Sequence, residues 1–180
     1  MFPFQIILVR NPFERLVSAY YDKMLPTSPG FTYAFAPMSR NINKMYRHLR
    51  TVPHDDEKTA GTATFEDFLN FIAASKVKKD PHWTEYNASC KPCQHKYNII
   101  MKMETLQDDV EYLVKKLGIN AYQRQGFFPI KHTKTDDSKM ERTFRPMPKA
   151  LVARVYEIYR HDFEMFGYEK PPWVCGRRRG

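Results

Sequence analysis

The chain has 180 residues, with 29 Lys and Arg against 20 Asp and Glu, for a formal net charge of +9. That length supports one domain able to bury roughly 70% of its unfolded surface. A content of 42% hydrophobic and 14% aromatic residues excludes a disordered chain. No apolar run approaches the roughly 18 residues of a membrane span. The longest, residues 4–9, is strand-sized, with no basic segment before it and no small-residue cleavage site after it, so it does not read as a signal peptide. The charge indicates an anionic partner without naming its kind.

Residues 4–9 are apolar and partly β-branched and read as a buried strand ending at Arg10. Asn11 is a good helix N-cap, Pro12 suits the first helical position, and Glu14 stands where it can close a capping box. Phe13, Leu16, Val17, Tyr20 and Met24 recur at helical spacing as a buried face. Pro26 and Pro29-Gly30 end that helix. Residues 26–62 read as an irregular excursion with a short helix near 40–50 and a charged patch at 55–58. Thr64 caps a helix carrying Phe65, Phe68, Leu69 and Ile72, and residues 75–80 form a basic loop.

Residues 97–101 read as a second strand. Residues 104–117 read as a helix with Leu106, Val110, Leu113, Val114 and Leu117 inward and Gly118 as its stop. Residues 119–147 are loop-like. Residues 148–166 form a long helix bearing Leu151, Val152, Val155, Tyr159, Phe163 and Phe166, stopped by Gly167. Pro171-Pro172 and the arginines at 177–179 form a basic tail, 171–180. Strands followed by helices predict an α/β fold with a parallel sheet. Two strands are few for an independent sheet, and an absent N-terminal portion is expected on that ground.

The turn from the first strand into the first helix carries the strongest chemical signal. A strand feeding a helix places ligands at the strand's C-terminal edge. The helix N-terminus presents N–H groups and a positive dipole end, which suit a phosphate. Arg10 at the strand end can grip phosphate oxygens bidentately. Ser18, two turns into the helix, can donate a hydroxyl. The alternative is that Arg10 and Arg15 are solvated charges and Ser18 a small packing residue.

The run Arg10-Asn11-Pro12-Phe13-Glu14-Arg15-Leu16-Val17-Ser18-Ala19-Tyr20 resembles the 3′-phosphate-binding motif of the Golgi carbohydrate sulfotransferases. The nearest resemblance is to the branch with the HNK-1, chondroitin 4-O and dermatan 4-O enzymes. His82-Trp83 with Cys90-Lys91-Pro92-Cys93 and Tyr97-Asn98 is similar to that branch's HW…CxPC…YD segment. Lys102-Met103-Glu104-Thr105-Leu106 and Asp109 are similar to its K-x-E-T-L-x-x-D block. Tyr156, Tyr159, Asp162, Phe163, Phe166 and Tyr168 match its C-terminal Y-x-x-Y-x-x-D-F-x-x-F-x-Y ending. The blocks follow the family's order across nearly the whole chain.

The resemblance implies a P-loop-like sulfotransferase fold, a parallel sheet flanked by helices, over residues 1–170. It implies transfer of a sulfuryl group from 3′-phosphoadenosine 5′-phosphosulfate to a glycan hydroxyl on a chondroitin, dermatan or GalNAc-type acceptor. Arg10 and Ser18 would hold the 3′-phosphate. The family's N-terminal loop for the 5′-phosphosulfate and its membrane anchor are not found here. The expectation is therefore a C-terminal portion with weak or no activity alone, from a type II membrane protein of the Golgi lumen. A non-catalytic relative that binds sulfated glycans is the alternative. The partner is an acidic glycan or glycosaminoglycan, with no nucleic acid and no metal expected.

An acceptor hydroxyl needs a base, and His82 is the best candidate. It is otherwise a structural histidine beside Trp83; His95, His132 and His161 are weaker. Asn87-Ala88-Ser89 is a glycosylation acceptor sequence. Cys90 and Cys93 are read as disulfide participants of undetermined pairing, with Cys175 as a third thiol. A zinc site would need further ligands such as His95 or Cys175. Glu104 is either a site residue or a capping carboxylate, and Asp162 orients backbone or pairs with a cation. The loop at 131–135 resembles a family loop near the cofactor, and residues 26–62 are expected to line the acceptor side.

Overall fold

A computed structural model describes residues 5–53, 61–74, 80–118 and 137–174. The charged patch at 55–58, most of the basic loop at 75–80, the loop at 131–135, Cys175 and the arginines at 177–179 lie outside the described residues.

Strand β1 (Ile6–Val9) runs parallel to β2 (Ile99–Lys102), with Ile7 opposite Ile100 and Val9 opposite Lys102. The sheet has two strands among the described residues, and helices flank it. Period-2 alternation sends Ile7, Val9 and Met101 into the interior. Ile6, Leu8 and Ile100 face outward and are exposed, so β1 is buried on one face rather than throughout, as its unbroken apolar run had suggested.

Helix α1 (Pro12–Lys23) begins as the sequence predicts. The Asn11 side chain accepts the N–H groups of Phe13 (2.9 Å) and Glu14 (3.4 Å), and Pro12 occupies the first turn. Glu14 does not reach back to close the box. Its carboxylate pairs with Arg10 instead, Nε to Oε2 at 3.2 Å. Phe13, Leu16, Val17, Tyr20 and Met24 are all buried.

The stretch read as an irregular excursion is more ordered than expected. Helix α2 (Phe35–Tyr46) runs into a 3₁₀ turn, Arg47–Leu49. Two acidic residues in the first turn of α3 (Phe65–Ala74) tie this region down. Fully buried Asp67 receives Arg50 Nε (2.9 Å) and Nη2 (2.5 Å). Glu66 accepts the backbone N–H groups of Thr51 and Val52 at 2.9 and 3.0 Å. Buried charge is tolerated only when paired, so these carboxylates require the excursion to fold back onto α3. Thr64 caps α3 reciprocally with Asp67.

A short helix, α4 (Tyr86–Ser89), precedes β2. Helix α5 (Leu106–Leu117) follows a 3₁₀ turn and ends at Gly118, whose φ of 65° is the left-handed stop. Its apolar stripe is only half-covered, with no fully buried residue among the described atoms. Helix α6 (Asp137–Phe144) replaces the last part of the predicted loop. Its sequence signal is weak because its buried anchors among the described side chains are two, Met140 and Phe144. Helix α7 (Lys149–Met165) buries Leu151, Val152, Val155, Tyr159 and Phe163 as predicted, with Phe166 buried just beyond its end.

One core joins α1, α2, α3, α6 and α7. Phe13 sits at its centre. It stacks on Phe144 (centroids 4.4 Å apart) and on Trp173 (5.6 Å), and meets Phe163 edge-on at 5.2 Å. The chain thus continues into the core beyond residue 170. No helix among the described residues is long and apolar enough to cross a membrane.

Phe13 is fully buried and bonded to nothing polar through its side chain. Phe13→Ala is expected to lower unfolding free energy by roughly 3–5 kcal/mol, read from urea denaturation. A loss under about 1 kcal/mol would contradict its central place in the core.

Candidate functional site

The end of β1 and the start of α1 are held by side chains from distant segments. The Arg10 N–H donates to the Tyr86 hydroxyl at 3.1 Å. The Asn11 N–H donates to Glu104 Oε1 at 2.7 Å, and Glu104 Oε2 accepts the Tyr168 hydroxyl at 3.0 Å. Burial and the Glu104 carboxylate push the Tyr168 phenol well above its usual range. Glu104 is therefore a bracket between the strand-to-helix turn and the C-terminal segment. The helix-start amides are consumed internally: Asn11 takes those of Phe13 and Glu14 with its side chain and that of Arg15 with its carbonyl. A helix start following a strand predicts amides that face a phosphate. An anion here must be held by side chains.

Those side chains line a cleft of about 310 Å³, together with the residues predicted for the other half of the chemistry. Arg10, Ser18 and His82 all border it, with Arg15, Asp22 and Tyr86. Arg15, Ser18, Ala19 and Asp22 recur at i, i+3, i+4 and i+7 and so share one face of α1. Ser18 is half-buried, and its hydroxyl has no partner among the described residues. The Arg10 side chain is only 15% exposed, its Nε on Glu14. Two cations and an uncommitted hydroxyl in one cleft fit a phosphate-bearing ligand.

Two helical turns along, Asp22 gives the cleft a carboxylate. Its bond to Lys23 (2.8 Å) holds its pKa below the usual carboxylate range. Gly30 passes so close that a Cβ there would lie 2.4 Å from the Asp22 carbonyl, so glycine is required.

His82 enters the cleft from a turn fastened on every side. Asp80 accepts the N–H groups of Trp83 and Thr84 at its carbonyl, at 3.2 and 2.8 Å. Asp80 Oδ1 accepts the His82 N–H at 2.9 Å and lies 2.7 Å from the His82 ring Nδ1. Trp83 is 1% exposed and its carbonyl accepts the Tyr159 hydroxyl at 2.5 Å. Burial raises the Tyr159 phenol far above its normal range, so it stays a donor.

Arg15 connects the two halves. Its Nη2 donates to the Pro81 carbonyl at 2.7 Å, and its guanidinium lies 4.3 Å over the Tyr86 ring. Its Nη1 is buried with no hydrogen-bond partner among the described residues. Arg15 is thus a strut between α1 and the His82 turn. The sequence assigns it no role beyond the alternative of a solvated charge. Its helical register with Ser18 was the available signal, whereas the contacts to Pro81 and Tyr86 span 66 and 71 residues and leave no local trace.

The remaining candidates stand apart from the cleft. Asn87 is exposed on α4, and Ser89 donates to the Glu85 carbonyl. Asp162 accepts the N–H groups of Tyr86 (2.8 Å) and Asn87 (3.1 Å), so it orients backbone. Burial raises its pKa, opposed by those same bonds. Cys90 and Cys93 are free thiols, half-buried and exposed respectively, so the expected disulfide is not formed by either. The Cys90 N–H instead closes α4 on the Tyr86 carbonyl. His95 packs beside Tyr97, and His161 lies on the exposed side of α7. His132 lies outside the described residues. Among the described residues no three His, Cys, Asp or Glu side chains cluster as metal ligands.

The sequence pattern of the sulfotransferase family matches residues 3–169. Carbohydrate sulfotransferase 10 of Xenopus laevis is 31% identical over 188 residues, covering 95% of this chain and 49% of that protein. The Homo sapiens carbohydrate sulfotransferase 10 is 32% identical over 188 residues, covering 95% and 48%. Carbohydrate sulfotransferase 11 of Rattus norvegicus is 28% identical over 182 residues, covering 94% and 48%. The chain spans about half the length of these curated relatives. No solved structure matches it.

Glu104→Ala removes two hydrogen bonds to a carboxylate. It is expected to cost about 1.5–3 kcal/mol of stability and to speed hydrogen exchange at the Asn11 amide. Unchanged exchange there would show that the bracket does not hold the turn.

Proposed function

Because the chain belongs to the sulfotransferase family, we propose that it carries the 3′-phosphate and acceptor sides of a carbohydrate O-sulfotransferase site. The observation that carries this reading is the single cleft bordered by Arg10, Ser18 and His82. Arg10 supplies a positive charge at the strand end and Ser18 an uncommitted donor one face along α1. Together they would bind the 3′-phosphate of 3′-phosphoadenosine 5′-phosphosulfate. When bound, that donor supplies a sulfuryl group whose bond to the 5′-phosphate oxygen breaks as the acceptor hydroxyl oxygen bonds to sulfur. His82 takes the hydroxyl proton, and the O–H bonding pair stays on the attacking oxygen. Positioning and electrostatics carry such in-line transfers, so a pinned cleft suits the task.

The acceptor in this reading is an acidic or GalNAc-type glycan such as chondroitin or dermatan. The relatives' names support a carbohydrate, and the +9 charge suits an anionic one. The setting is the Golgi lumen, with Asn87 exposed for glycosylation and a membrane anchor carried by the full-length protein. Weak or absent transfer by the 180 residues alone belongs to the same proposal. Clear turnover of labelled donor on chondroitin would overturn that last element.

Isothermal titration with adenosine 3′,5′-bisphosphate tests the 3′-phosphate site. Arg10→Ala is expected to weaken binding at least about tenfold, since a charged hydrogen-bond partner is lost. Ser18→Ala is expected to weaken it by a smaller factor of about fivefold. No binding by the unaltered chain, or binding indifferent to Arg10→Ala, would sink the reading.

A further inference from the structure

We propose that Asp80 is the positioning residue of His82, holding its ring in the Nδ1–H form so that Nε2 is the basic nitrogen offered to the acceptor hydroxyl. The inference rests on the reading of His82 as the base and adds the group that makes it one. Neither the family motifs nor the charge pattern pointed to Asp80.

The chemistry follows from what a carboxylate can do. An ionised Asp accepts hydrogen bonds and cannot donate them. Asp80 Oδ1 lies 2.7 Å from His82 Nδ1, so in neutral His82 that nitrogen carries the proton. The lone pair then belongs to Nε2, because the bond made by one ring nitrogen decides the state of the other. The same Oδ1 accepts the His82 backbone N–H at 2.9 Å. One oxygen thus fixes both the main chain and the ring of a single residue.

The surroundings keep that geometry from drifting. Thr84 Oγ1 donates to the Asp80 carbonyl at 2.7 Å, and Arg15 holds the Pro81 carbonyl between the two partners. Phe35 meets the imidazole edge-on at 5.6 Å, and buried Trp83 follows directly in the chain. The charged groups sharing the cleft with His82 are Arg10, Arg15 and Asp22. The Asp80 side chain is 21% exposed and that of His82 is 42% exposed. The acid is thus more shielded than the ring it holds. When Nε2 takes a proton from the hydroxyl, the resulting imidazolium keeps Asp80 as its counter-charge.

Nitrogen-15 NMR of His82 in the 180-residue chain reads the tautomer directly and needs no turnover. In neutral His82 the Nδ1–H form is expected in at least about tenfold excess, the worth of one bond to a charged acceptor. Asp80→Ala is expected to move the ring toward Nε2–H, the form a free imidazole side chain favours. Asp80→Asn is expected to retain Nδ1–H, because the His82 N–H selects the amide oxygen for the position of Oδ1. A purely structural Asp80 would leave the ratio unchanged in folded Asp80→Ala, checked by circular dichroism. That result, or a dominant Nε2–H form in the unaltered chain, overturns the proposal. Undiminished sulfuryl transfer by His82→Ala in the full-length protein would instead remove the base reading while the tautomer result stood.

Discussion

Between Arg10 and Arg15 every backbone N–H has a partner inside the protein. Tyr86 takes that of Arg10, Glu104 that of Asn11, and Asn11 the next three across proline. This satisfies donors that a helix start otherwise leaves exposed. It also changes what the turn can do. A helix N-terminus with open amides binds an anion through its backbone. Here the dipole remains but the donors are spent, so in the proposed reading recognition passes to Arg10 and Ser18. The turn is correspondingly rigid, because its partners come from α4, from the segment after β2 and, through Glu104, from Tyr168.

The same economy governs the opposite wall. The Asp80–Thr84 turn is held by its own aspartate, by Arg15 from α1 and by Tyr159 from α7. Arg15 matters because it belongs to the helix that also carries Ser18. A rotation of α1 that moved Ser18 would pull on Pro81 and so on His82. The stacking of Arg15 on Tyr86 closes a loop of contacts, since Tyr86 also receives the Arg10 N–H. Burial raises the Tyr86 phenol, which keeps its proton while its oxygen accepts from Arg10.

What could be read from the sequence divides along contact range. The Asn11-Pro12 start of α1, the Thr64 cap of α3 and the apolar register of α7 are local patterns, and the structure has them where the spacing places them. Arg10, Ser18 and His82 emerged from motif blocks, and the fold brings all three to one cleft. The misses are long-range. The short helix expected near 40–50 is present, but its earlier start and the ordering of the excursion around it depend on Arg50 reaching Asp67 and on Glu66 gathering Thr51 and Val52, which no window of a few residues contains. Helix α6 depends on Phe144 stacking over Phe13. The inward face expected for α5 is periodic but only partly covered, because periodicity states which residues share a face and not what lies against it.

The net charge of +9 proves a poor guide to the site it first suggested. Of the cleft's charged residues, Arg10 is paired with Glu14, Arg15 gives Nη2 to Pro81 and stacks on Tyr86, and Asp22 is negative. The cleft is therefore not a pool of surplus positive field. Exposed charges elsewhere act over about a Debye length, roughly 8 Å at physiological salt, and so steer an anion without choosing one. Discrimination must come from directed groups at fixed positions. A hydroxyl without a partner among the described residues, on one helix face, and an imidazole oriented by an adjacent carboxylate are such groups. A site built this way selects by geometry, so the residues that fix geometry, Glu104, Arg15 and Asp80, belong to its function as much as those that would touch the ligand.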